Sequence, residues 1–189
     1  MLTRRFRPLI GKPGQSSTPV GRLLNYHANE CVRHVAACSG VLDARHGVPI
    51  DRKALVEAFP SSFLGMMLPE PARVAARRGD RSDTFFQHLS ATDVLHSFFE
   101  YCLPGRQLAH DLNTIVNHDD RAAFVCALTA LCVAIGDFVA IGDDDGWIIL
   151  PPCRFIQPEQ WMLLCANAEE EMPGSLYVTG REEITLRPQ

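Results

Sequence analysis

The stretch His118–Pro152, HDDRAAFVCALTALCVAIGDFVAIGDDDGWIILPP, decides the fold class of this chain. Its first half, from near Asp119 to Ile135, predicts a long apolar helix opened by polar residues. Gly136 stops it, because glycine takes the left-handed conformation past a helix end. The apolar run that begins at Ala122 is shorter than the roughly 20 residues a membrane-spanning helix needs, and Asp137 interrupts it. It reads as a helix buried in a protein core, and no membrane association is expected. The second half predicts two strands, FVAIG and WIIL, joined by the acidic turn Asp143-Asp144-Asp145-Gly146 and closed by Pro151-Pro152.

On the N-terminal side, ALVEAF at 54–59 is short, apolar and bounded by charge before it and Pro60 after it, which suits a buried strand. Ser61-Ser62 offers a cap for a short helix, FLGMML, stopped by Pro69 and Pro71. RVAARRGDR reads as a solvated link. An amphipathic helix is predicted from about Asp83 to Leu103, ended by Pro104-Gly105. Further upstream, Val20, Leu24, His27, Cys31, Val35 and Cys38 recur at spacings of three and four, one face of a helix that ends near Gly40. On the C-terminal side a last helix runs from about Glu159 to Glu171. The predicted organisation is a basic Pro/Gly/Ser-rich arm at 1–19, one α/β domain at 20–172, and a polar tail at 173–189. The fold class is α/β, mixed and helix-rich.

The chain has 189 residues, and 47% are hydrophobic, enough for a substantial core. Its net charge of −4 hides an asymmetry: residues 1–81 carry thirteen Arg and Lys against six Asp and Glu, and residues 82–189 carry five against sixteen. The first part could face a polyanion such as nucleic acid, and the second could hold cations. Seven cysteines, an odd number without a CxxC pair, read as reduced and mostly buried thiols, as in a cytoplasmic protein. The basic start, MLTRRFRPLIGKPGQSSTP, lacks the apolar core of a signal peptide.

Four places could carry chemistry. Glu57 stands alone among apolar neighbours in ALVEAF, and a buried carboxylate there needs pairing, hydrogen bonds or a metal. The other reading is an edge-strand glutamate facing water. Asn117-His118-Asp119-Asp120 opens the long helix. Two carboxylates in one turn can join a third from a strand around a divalent ion, but they equally complement the helix dipole behind an asparagine cap. Asp143-Asp144-Asp145-Gly146 lacks the alternating ligands of a calcium loop and is better explained as a hairpin turn. His27, Cys31, His34 and Cys38 line one helical face. Ligands spread over three turns cannot close on one ion, so a pair such as His27–Cys31 would need partners from elsewhere. The alternative is a core seam for the cysteines with the histidines at its rim. Phosphate-binding glycine loops, a nucleophile elbow and an H-E-x-x-H motif are absent.

ALVEAFPSSFLGMMLPEP, followed some sixty residues later by HDDRAAFVCALTALCVAIGDFVAIGDDDGWIILPP, resembles the predicted RNase H-like nuclease family catalogued as a domain of unknown function. The likeness covers roughly residues 54–152. It implies an RNase H-like mixed sheet flanked by helices. It also implies Mg²⁺ or Mn²⁺ held by Glu57 and by Asp119 or Asp120, with His118 orienting water or phosphate, for phosphodiester hydrolysis. Two departures accompany it. No strand bearing a first essential aspartate precedes residue 54, so the N-terminal strands are expected to be missing. Ala122 or Ala123 stands where many relatives have an aspartate.

Three expectations follow. The first is a metal-dependent nuclease, with Glu57, His118, Asp119 and Asp120 as site residues and the Arg-rich N-terminal part on nucleic acid. The second is a non-catalytic protein that uses the same fold to bind or to form a homodimer, through an exposed sheet edge or apolar helices such as 83–103. A helical thiol or metal protein built around His27 and Cys31 is a third.

Overall fold

The computed structural model describes residues 18–44, 49–75, 81–143, 146–171 and 176–179. Most of the basic arm lies outside these residues, as does the acidic turn at 144–145. The first element is α1 (Pro19–Ser39). Thr18 caps it by accepting a hydrogen bond from Gly21 N–H at 3.1 Å, Pro19 fits its first turn, and Gly40 ends it. The short strands β1 (Leu42–Asp43) and β2 (Ala54–Leu55) pair in parallel with each other alone. After Val56 the chain enters β3 (Glu57–Ala58), which belongs to a different sheet. The single buried strand expected at 54–59 is thus two half-strands, parted at Val56, because Leu55 and Glu57 pair with different partners.

Pro60 opens α2 (Pro60–Met66) from Phe59 as cap, so the serines lie inside the first turn and do not cap it. A short α3 (Pro71–Val74) follows. The one helix expected at 83–103 is two, α4 (Arg81–Ala91) and α5 (Val94–Cys102). Asp93, at φ 58°, takes the left-handed conformation and turns the chain between them. The break lets Phe85, Phe86 and Leu89 from one helix and Leu95 and Phe98 from the other enter the same core. These five side chains are buried inside the molecule.

α6 (His118–Ile135) matches its expected bounds to within a residue and ends at Gly136, φ 70°. The hairpin is β4 (Phe138–Asp143) and β5 (Gly146–Leu150), paired antiparallel. The last helix is α7 (Pro158–Glu171). Leu176–Thr179, within the segment expected as a polar tail, forms β6 and pairs antiparallel with β4. The sheet order is β3-β5-β4-β6, with β3 parallel to β5. The protein is therefore helix-rich with a small mixed sheet. Among the described residues no helix is long and apolar enough to cross a membrane.

Strand alternation sends side chains to two cores. Phe138, Ala140, Trp147 and Ile149 join the larger one with residues of α2, α4, α5 and α6. Val139, Ile141 and Leu150 join the smaller one with Leu164 and Ala168 of α7. The sheet is thus covered on both faces, with α6 on one side and α7 on the other.

Candidate functional site

Three of the four expected site residues share the first turn of α6. Asn117 Oδ1 accepts from the backbone N–H of Asp119 at 2.7 Å and of Asp120 at 3.4 Å, so this turn is a capped helix start. Asp119 and Asp120 are exposed, at the positive end of the helix dipole. His118 Nδ1 lies 3.0 Å from Asp83 Oδ2 on α4, and Arg121 Nη1 lies 3.3 Å from the other oxygen of the same carboxylate. Arg121 is buried, donates from Nε to the Ile115 carbonyl at 2.7 Å, and sits 5.9 Å from the centre of the Phe86 ring. Asp83 therefore ties the head of α6 to α4. The sequence held no signal for this link, since the partners stand 35 residues apart. Beside it lies a shallow cleft lined by Pro60, Leu64, Asp83, Phe86, Arg121 and Val125, too narrow for a bound water.

Glu57 is elsewhere. Its backbone pairs with Ile148, whose side chain packs against the α7 core, while the flanking Val56 packs against the α6 core. Alternation along the strand therefore directs Glu57 to the α7 face, and the sheet lies between it and the face on which α6 packs. Glu57 is an exposed residue on the edge strand, yet neighbouring protein strips enough water from its carboxyl to hold it above the usual carboxylate range. The structure brings His118, Asp119 and Asp120 together and does not bring Glu57 to them. Among the described residues no three His, Cys, Asp or Glu side chains are grouped to hold a metal ion. The expected carboxylate set does not fit a two-metal centre.

The cysteines also differ from expectation. Cys102 and Cys132 are buried, Cys153 and Cys165 half-buried, and Cys31, Cys38 and Cys126 exposed; among the described residues no disulfide forms. The hydrogen bond to Cys102, and then burial, push the Cys132 thiol far up and leave it inert. The face of α1 expected to form a core seam is open to solvent. Among the described side chains of α1 none belongs to either core, and Val20, Leu23, Tyr26, Val32 and Val35 are exposed. His34 Nε2 lies 3.8 Å from Cys38 Sγ on that surface. No family model, curated protein or solved structure matches the chain.

Proposed function

We propose that this chain works by association: an RNase H-like α/β body that presents α1 to a second copy of itself. The observation behind this reading is α1. It is a helix of 21 residues, about 31 Å long, and among the described residues none of its side chains joins either core. At 100° per residue, Val20, His27, Cys31, His34 and Cys38 fall within about 60° of arc, with Leu23 and Val35 at its margins. Arg22 and Arg33 lie on the opposite side, and Glu30 bonds Arg33. Val20, His27 and His34 repeat every seven residues, as do Cys31 and Cys38, and together they keep the alternating four-three spacing of a helix seam. A face with that spacing and no formal charge fits another face like itself.

The hydrolytic reading retains one supporting observation, the raised carboxyl of Glu57 on the edge strand β3. Sedimentation velocity of the full chain, together with nuclease assays in Mg²⁺ and Mn²⁺, separates the two. Association predicts a concentration-dependent dimer and no chelator-sensitive cleavage of RNA or DNA. A strict monomer whose cleavage is lost on Glu57→Gln would replace this reading with the hydrolytic one.

A further inference from the structure

We infer that two copies of α1 hold zinc between them, each copy giving a His–Cys pair to each site. This rests on the self-association just proposed and adds a ligand to it. A tetrahedral zinc bound at about 2.3 Å by sulfur and about 2.05 Å by nitrogen requires those two atoms to stand about 3.6 Å apart. His34 Nε2 and Cys38 Sγ stand 3.8 Å apart, both on exposed residues. The pair therefore has the bite of a zinc chelate without moving the backbone. Seven residues earlier, His27 and Cys31 repeat the same spacing on the same face, and both are exposed.

Each pair supplies half of a four-ligand shell. The i, i+4, i+7, i+11 array cannot close on one ion within one helix, since its ends lie about 16 Å apart at 1.5 Å per residue. A second copy across a two-fold axis supplies the two missing ligands. In parallel alignment each pair meets its own counterpart. In antiparallel alignment His27–Cys31 meets His34–Cys38. Either way two Cys₂His₂ sites form per dimer. Each site forms four bonds to Zn²⁺ as its two thiols release their protons to solvent and its two neutral imidazoles give lone pairs. The seam suits this approach. It carries no formal charge, and metal ligation would add to the contact that Val20, Leu23 and Val35 make.

The test uses the full, reduced, chelator-treated chain and Co²⁺ as a visible substitute for zinc. Titration should reach about one Co²⁺ per chain, with tetrahedral d–d bands, a thiolate-to-metal charge-transfer band, and a doubling of mass in sedimentation velocity. The double variant Cys31→Ser, Cys38→Ser should lose the charge-transfer band and the metal-linked association. Its circular dichroism should stay unchanged, because both residues lie outside the cores. Thiolate-bound cobalt on a chain of monomer mass would overturn the bridging arrangement. Equal charge transfer in the double variant would place the metal on other cysteines and overturn the site. A dimer that forms equally with chelator would leave the association standing and remove the metal.

Discussion

Val20→Asp is the sharpest perturbation of the proposed contact, because Val20 lies on the midline of the α1 seam, in the first turn of the helix, and is 69% exposed. Fully burying a valine contributes about 1.5 kcal/mol, so covering its exposed part contributes about 1 kcal/mol per copy. A symmetric dimer buries it twice, giving about 2 kcal/mol, or about 30-fold in the dimer constant. Thirty-fold is a floor, since the aspartate must also be desolvated or held at the rim. The substitution leaves the isolated helix intact, because an acid in the first turn complements the dipole. Val32→Asp is the control. Val32 is also an exposed valine on α1, at 43%, but it points about 120° away from Val20. Sedimentation equilibrium of the full chain should show the loss in Val20→Asp and a change within about 2-fold in Val32→Asp. Equal weakening by both variants would refute the seam and leave only unspecific adhesion of an apolar surface.

Three further outcomes follow from the structure. Burial holds the Glu57 carboxyl above its ordinary value of 4.5, so the folded chain keeps a proton that the unfolded chain has released. The penalty is absent below that ordinary value and complete above the raised one, so stability falls as pH rises through the window between them. Glu57→Gln should flatten this dependence in thermal melts on either side of the window; an unchanged slope would contradict it. Asn117→Ala removes the acceptor for two backbone N–H groups at the head of α6 and should cost about 1 kcal/mol by chemical denaturation. Alkylation followed by mass spectrometry should label Cys31 and Cys38 first. Cys126 should react more slowly, because burial pushes its thiol up, and Cys102 and Cys132 should react only after unfolding.

Local signals carried much of the fold. Asn117, the apolar run and Gly136 marked α6 within a residue, and the two β-rich runs around the acidic turn marked the hairpin. What failed needed distant partners. The split of 54–59 between two sheets depends on which strand each residue meets, and β6 exists because β4 has an open edge for Leu176–Thr179. The kink at Asp93 arises from core packing, which overrides a helical pattern running straight through it.

The candidate site shows why composition could not decide its chemistry. Glutamate in an apolar strand and aspartates opening an apolar helix describe a metal centre and a capped fold equally well. The two differ only in which face of the sheet each residue takes, and that is fixed by register. Pairing of Glu57 with Ile148 places it opposite α6; a slip of one residue would have turned it toward the helix that carries Asp119 and Asp120. The same logic bears on α1. Its three-four spacing matches a core helix and an intermolecular seam alike, and the choice rests on whether the chain itself has an apolar face left to receive it. Here both faces of the sheet are already covered, by α2, α4, α5 and α6 on one side and α7 on the other. The proposal that a second copy receives the face of α1 bearing Val20, Leu23 and Val35 rests on that contrast.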